Sequence, residues 1–363
     1  MKVLHLISGG ETGGSKKHVL TLLEGLKEEV VLGLLEDGVF REEAEALGIQ
    51  TVLFEQRSQT DMSVRSDMLS YISANQIQVL HSHGPRANFL IGTVKKRLPV
   101  PWLVTLHSDP SLDFLNGGIR GWMFTKLHLW ALIKADGYFA VSERFKTILM
   151  ENGIQADKIE TVFNGIDFSR PLPEAWPRET FTDDPDTLLL THVARLHPVK
   201  GHEDALLAMH QLKEKGIPVK LLLVGDGPHE AAIRSRVDAL GLQDTVAMLG
   251  YRADAQALMR TADAVLLTSL SESFPLVLLE AAHVMTPVIT TDTGGVRELI
   301  PSDSFGWITR VQDPGDLASA IIHAWERKGE LQEKGERLHQ HAKSRFDLSQ
   351  LIAATKKSYV TKM

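Results

Sequence analysis

Short runs rich in valine, leucine and isoleucine alternate along the chain with longer stretches whose apolar positions recur at helical spacing. A strand buried on both faces needs the first pattern and the helix that covers it needs the second, so the alternation predicts α/β architecture with parallel sheets. The predicted strands of the first half are 3–7, 30–34, 51–54, 79–81, 103–105, 137–141 and 160–163, with helices such as 16–26 and 67–74 between them. Asn164-Gly165 is a turn signal, and the stretch holding Pro171, Pro173, Pro177 and Pro185 lacks apolar periodicity. The strand pattern then restarts at 187–192, 219–224, 245–249, 264–267, 288–290 and 306–308, and 313–327 and 349–360 read as helices. The expected organisation is a first domain over 1–168, a linker over 169–186, a second domain over 187–345, and a C-terminal helix over 346–363 that crosses back to the first domain. Two open α/β domains in series leave a cleft at the carboxyl ends of their strands, which places the chemistry in loops that follow strands.

The length of 363 residues fits two domains, and 43% apolar content suffices for both cores. With 39 basic against 46 acidic residues the formal charge is −7, which excludes a nucleic-acid binder held by a general basic field. Cysteine is absent, so disulfides, thiolate zinc sites and cysteine nucleophiles are excluded together. The first strand is too short for a signal-peptide core, and no apolar run reaches membrane-spanning length, so a cytoplasmic protein is expected.

Several loops carry candidate chemistry. After the first strand comes Gly9-Gly10-Glu11-Thr12-Gly13-Gly14-Ser15, where glycines admit a ligand to the backbone and a helix N-terminus offers free amides to an anion. The sequence Ser15-Lys16 does not complete a P-loop, and a ligand-free turn is the alternative. His81 and His83 end a strand at period two and face one way, which suggests a polar mouth on the acceptor side; no third ligand lies at metal spacing, and no metal is expected. His107 follows the next strand similarly, with a satisfied core histidine as the alternative.

In the second half, Arg195 and Lys200 lie five residues apart in the loop after the first strand of that domain. Two fixed cations suit a diphosphate, because a guanidinium can bond two oxygens and an ammonium adds a point charge. Each is worth roughly 4 kcal/mol of Coulomb energy at ~4 Å and an effective dielectric near 20. A later loop runs Ser269-Leu270-Ser271-Glu272-Ser273-Phe274-Pro275 into Leu276-Val277-Leu278-Leu279-Glu280. Pro275 suits the first turn of a helix, with Glu272 before it and Glu280 about a turn and a half inside. The two carboxylates therefore reach different parts of an extended ligand whose phosphates rest on the helix amides.

Together, Arg195 with Lys200, Glu272 seven residues before Glu280, the double-glycine loop and Asn164-Gly165-Ile166-Asp167 resemble the retaining GT-B glycosyltransferases of family 4, over nearly the whole chain. The resemblance implies two Rossmann-like domains facing a cleft, and sugar transfer from a nucleoside diphosphate to a hydroxyl without metal or other cofactor. It puts Arg195 and Lys200 on the diphosphate, Glu280 on the ribose, Glu272 on the sugar hydroxyls and His107 near the sugar. It further places Gly13 and Gly14, Tyr251 and Arg252, and the helix opening Phe274, Pro275, Leu276 and Val277 on the donor. Ala194, Phe163 and Ser273 depart from common family residues; the last bears on how closely the backbone approaches the sugar. Asp184-Pro185-Asp186 formally matches a metal-binding D-x-D but precedes a strand and is read as chance.

The resemblance favours a UDP-sugar over a GDP-sugar, with envelope polysaccharide or glycolipid synthesis as the setting. A nucleotide-sugar 2-epimerase or a sugar phosphorylase on the same architecture, and a sugar-binding protein without catalysis, are the competing readings. Residues 119–134 gather two tryptophans, Met123, Phe124 and cations, as a helix at the membrane interface would, and a lipid-linked acceptor would fit; a core-covering helix is the alternative.

Overall fold

A computed structural model describes residues 1–11, 13–58, 61–107 and 118–362, the side chains of residues 119 and 120 apart. The chain forms two compact units, Met1–Gly165 with Leu348–Met363, and Ile166–Asp347. In the first, seven parallel strands run β1 (Val3–Ile7), β2 (Val30–Leu34), β3 (Thr51–Leu53), β4 (Val79–His83), β5 (Trp102–Leu106), β6 (Gly137–Ala140) and β7 (Ile159–Thr161). Their spatial order is β3-β2-β1-β4-β5-β6-β7. In the second unit, β8 (Leu188–Val193), β9 (Val219–Val224), β10 (Val246–Gly250), β11 (Ala264–Leu267), β12 (Val288–Thr291) and β13 (Gly306–Thr309) are arranged β10-β9-β8-β11-β12-β13. Each sheet has its topological switch point beside its first strand, between β1 and β4 and between β8 and β11, where loops diverge and leave a crevice.

The central strands are buried on both faces, which is why their apolar runs lack alternation: all five residues of β1, β2, β4 and β5 are buried. Each such aliphatic side chain contributes about 1.5–3 kcal/mol of burial free energy. β4 continues through His81, Ser82 and His83, two residues past the apolar run that predicts it. Polar residues are tolerated there because side-chain partners satisfy them, as described below.

The stretch 169–186 is fastened to the second unit and does not behave as a free linker. Trp176 Nε1 donates to Asp254 at 2.8 Å, Arg178 Nη2 to Asp263 at 2.9 Å and Arg260 Nη1 to the Pro173 carbonyl at 2.5 Å. The C-terminal helix, Leu348–Lys362, belongs to the first unit, where it packs on the helix Gly14–Leu26. A Cβ on Gly25 would lie 2.2 Å from Ile352 Cδ1, so glycine lets the two helices approach. Lys356 to Glu29 and Ser358 to Glu160 tie the helix down further, and Leu351 and Tyr359 are buried beneath it.

Candidate functional site

In the second unit, the loop after β8 and the loop after β11 meet at the switch point. Lys200 Nζ donates to Glu272 Oε1 at 2.5 Å, and Ser269 Oγ donates to the same oxygen at 2.6 Å. The loop after β8 ends on Gly201, whose φ of 65° and a would-be Cβ 1.9 Å from the Thr268 carbonyl allow no other residue. Thr268 Oγ1 in turn donates to the Lys200 carbonyl at 3.0 Å, so the two loops are one body. Gly294, at φ 52°, presses on the Glu272 and Ser273 carbonyls, where a Cβ would lie within 2.4 Å. These contacts hold the ammonium and the carboxylate in register next to the helix Leu276–His283, whose first turn carries no acid and no side-chain cap. A charged pair at hydrogen-bond distance beside a helix start without a side-chain cap can take an anion and a hydroxyl-bearing group side by side.

Arg195 lies exposed in the same loop, and Glu280, in the second turn of that helix, is 9% exposed. A cavity of about 620 Å³ lies instead where β9 and β10 begin, lined by Phe181, Thr187, Lys213, Val219 and Thr245, and includes none of these residues.

In the first unit, the loop after β1 folds over its own carboxylate. Glu11 accepts from the Gly9 amide at 2.8 Å and the Ser8 amide at 3.2 Å, and burial followed by nearby Glu36 raises its pKa against those bonds. Arg86 Nη1 donates to Glu36 at 2.8 Å and to Ser8 at 3.2 Å, bracing the loop. Gly13, at φ 70°, and Gly14 have nothing within 4 Å of a would-be Cβ, so the helix Gly14–Leu26 opens on accessible backbone. At the ends of β4 and β5, His83 Nδ1 lies 3.1 Å from His107 Nε2, and His107 packs edge-on against His18 at 4.9 Å between ring centroids.

Sequence comparison decides what kind of protein carries these loops. Residues 12–170 match the family model Glycosyltransferase Family 4, and residues 176–345 match Glycosyl transferases group 1. The chain belongs to the family 4 glycosyltransferases of the GT-B fold.

The N-acetyl-alpha-D-glucosaminyl L-malate synthase of Bacillus anthracis is 27% identical over 308 residues, 81% of this chain and 77% of that protein. The putative colanic acid biosynthesis glycosyltransferase WcaL of Escherichia coli K12 is 30% identical over 198 residues, 52% of this chain and 47% of that protein. Among solved structures, Anabaena Alr3699/HepE in complex with UDP superposes with a TM-score of 0.86 at 22% identity, covering 99% of this chain and all of that one.

In this family 4 chain, the structure brings some of the sequence-predicted site residues of the second unit together and engages others elsewhere. Lys200 and Glu272 are joined directly, and Arg195, Glu280, Pro275, Leu276 and Val277 lie on the same two loops and the following helix. Two others are engaged elsewhere: Arg252 clasps Asp254 through Nε and Nη2 at 2.8 and 2.7 Å and lies 5.1 Å from the Trp176 ring, while Phe274 is 3% exposed and packs on Gly295 and Phe346. Tyr251 beside Arg252 is 73% exposed.

His81 and His83 need correction. Both are fully buried, so they form no polar mouth on the acceptor side; only His107 of the three keeps some exposure. The expected lack of a third histidine at ligand spacing is also corrected, because β1 pairs with β4 so that His5 faces His81. His5, His81 and His83 have ligand atoms within 4.8 Å of one another. Their nitrogens, however, already face one another, Tyr359 and Thr105 at 2.7–3.0 Å, with no carboxylate among them, so a divalent cation would have to break those contacts. Sequence reasoning passes over His5, Glu11, Arg86, Gly294 and Tyr359; a histidine inside the apolar run Val-Leu-His-Leu-Ile, and the Thr293-Gly294-Gly295 doublet after β12, were the legible signals.

Proposed function

We propose that this glycosyltransferase moves a hexose from a nucleoside diphosphate, UDP in preference to GDP, onto a hydroxyl acceptor with retention at the anomeric carbon and without a metal ion. The Lys200–Glu272 pair at the second unit's switch point carries the reading. A diphosphate arriving there competes with Glu272 for Lys200, and the released carboxylate is then available to accept from sugar hydroxyls. Arg195 adds a second cation for the phosphates, the amides at the start of Leu276–His283 a third source of positive potential, and Glu280 suits the ribose hydroxyls. His107 is assigned to the transferred sugar. That the Anabaena relative has been solved with UDP and with UDP-glucose supports a uridine donor.

In the proposed step the bond from the anomeric carbon to the β-phosphate oxygen breaks with its electron pair going to the diphosphate. The acceptor oxygen bonds the same face of the carbon, and its proton passes to the departing phosphate oxygen. Arg195 and Lys200 stabilise the charge that grows on that group. The test is incubation with UDP-glucose in excess EDTA, with the anomeric configuration of the released or transferred glucose followed by NMR before mutarotation. Formation of the α-anomer at a rate unaffected by EDTA is expected; the β-anomer, or activity only after magnesium is restored, contradicts the reading.

We place this reaction at the cytoplasmic face of a membrane, in envelope polysaccharide or glycolipid synthesis. Among the described residues no helix is long and apolar enough to cross a membrane. The helix Gly118–Leu132 and the residue after it instead leave Trp122, Met123, Phe124, Trp130 and Ile133 between 41% and 65% exposed. Lys134 Nζ sits 3.0 Å from the Trp130 ring centroid, and Lys95, Lys96 and Arg97 follow a neighbouring helix of the same unit. Exposed aromatics beside cations fit an anionic lipid surface. Cosedimentation with phosphatidylglycerol vesicles at low salt is expected for the unmodified chain and lost in W122A/K126E; no binding by the unmodified chain favours a soluble acceptor.

A further inference from the structure

One face of the first unit's sheet carries His5 on β1, His81 and His83 on β4, Thr105 on β5 and His107 just beyond it, with Tyr359 of the C-terminal helix against His5 and His81. They form one unbranched chain. Thr105 Oγ1 lies 2.7 Å from His81 Nε2, His81 Nδ1 2.7 Å from the Tyr359 hydroxyl, and that hydroxyl 3.0 Å from His5 Nε2. His5 Nδ1 then lies 2.9 Å from His83 Nε2, and His83 Nδ1 3.1 Å from His107 Nε2. No described residue bonds His107 Nδ1.

Burial keeps these imidazoles neutral: it lowers the pKa of His5 to about 3 and holds His81, His83 and His107 well below the ordinary value, with neighbouring imidazoles adding to the effect. A neutral imidazole has one donor and one acceptor nitrogen, and a phenol has one proton. If Tyr359 donates to His5, then His5 donates to His83, His83 to His107, and His107 carries its proton on Nδ1. If Tyr359 donates to His81, every bond reverses and His107 Nδ1 is a bare acceptor. A third arrangement, in which the phenol oxygen only accepts, would strand a fully buried hydroxyl proton, at a cost of about 1–3 kcal/mol. The far end is closed by Thr105, which is 3% exposed; drawing a net proton through the chain would leave an alkoxide there. The chain therefore couples tautomers without conducting protons.

We propose that Tyr359 is a positioning residue for sugar transfer: through His5 and His83 the direction of its one proton sets the tautomer of His107, so that the network and not the solvent fixes the hydrogen-bonding character with which Nδ1 meets a hydroxyl of the transferred sugar. The proposal rests on the assignment of His107 to the sugar. It makes the C-terminal helix, through Tyr359, part of the specificity of the site.

The test uses the full chain with 15N-labelled histidine and the variants Tyr359→Phe and His83→Leu. In the unmodified protein the two His107 nitrogens should show the well-separated shifts of one tautomer; in each variant they should converge toward a tautomeric average. Hydrolysis of UDP-glucose should slow about tenfold in kcat with KM within about twofold, and Tyr359→Phe should add less than about twofold to His83→Leu, since both cut one path. Unchanged His107 shifts in Tyr359→Phe, or effects that multiply in the double variant, overturn the proposal. Should Tyr359→Phe fail to fold, the shifts in His83→Leu decide it alone. If the shifts move as expected but His107→Gln hydrolyses donor normally, the tautomer coupling stands and the assignment of His107 to the sugar falls.

Discussion

The two units share a parallel sheet and a switch point beside the first strand, yet they differ in what stands at that point, a row of imidazoles in the first and a charged pair in the second. The first puts its polar groups inside the strands, where His5, His81 and His83 are fully buried. The second buries Thr191 and His192 in β8 as well, but puts Lys200, Glu272 and Arg195 in the loops beyond β8 and β11. Burying an unpaired charge costs far more than burying a hydrogen-bonded neutral group, so the first arrangement supplies oriented, uncharged hydrogen bonds and the second supplies charge. In the proposed function the cations serve the diphosphate, while the sugar meets both Glu272 and the uncharged imidazole His107.

Acid should break this comparison most visibly. The buried imidazoles of the first unit titrate far below the ordinary histidine value of 6.5, His5 at about 3 and His18 at about 4, both chiefly through burial. Between about pH 6.5 and 4 the unfolded chain therefore binds protons that the folded chain refuses, so stability is present at neutral pH and is lost as the pH falls. At pH 5 this amounts to about 2 kcal/mol for each of these two residues, with His81, His83 and His107 adding in the same direction. The pKa values of His192 and His202 in the second unit are also lowered, chiefly by burial, but these residues are fewer, so urea unfolding followed by hydrogen exchange at pH 7 and 5 should show amides of the first unit losing protection ahead of those of the second. Equal losses in both units would mean that the imidazole face is not the acid-sensitive element.

The next largest effect belongs to the charged loop. Lys200→Ala should lower the turnover of donor by about 100-fold, near 3 kcal/mol, while donor affinity changes less than about tenfold, because charge on the phosphates grows toward the transition state. Steady-state kinetics with UDP-glucose measures both. A loss confined to KM would assign Lys200 to binding alone. Smaller again, Glu280→Gln should raise donor KM about tenfold with little change in kcat, since ribose contacts alter little during transfer.

Much of this contrast was legible in the sequence, and the part that was not has a common cause. Strand positions follow from local apolar runs, and Arg195, Lys200, Glu272 and Glu280 stand out because charges at fixed offsets in loops are local features too. The apolar pattern ends β4 at His81, two residues short, because Ser82-His83 resembles a loop until its cross-strand partners are known. His5 and Tyr359 escaped it because they join His81 and His83 only through the β1–β4 register and the return of a helix more than 270 residues away in sequence, as the 278-residue separation of His81 and Tyr359 shows. Likewise the clasp of Arg252 on Asp254 and the packing of Phe274 on Gly295 depend on tertiary neighbours that no spacing encodes.

The division of labour is tested most directly by titrating UDP, a diphosphate without a sugar, into the chain by calorimetry in excess EDTA at pH 7.5, with the unmodified protein and Lys200→Ala side by side. The account predicts one binding site that needs no added metal, and affinity that is weaker, by up to about tenfold, in Lys200→Ala. No binding until magnesium or manganese is supplied, or affinity identical in the two proteins, would contradict it.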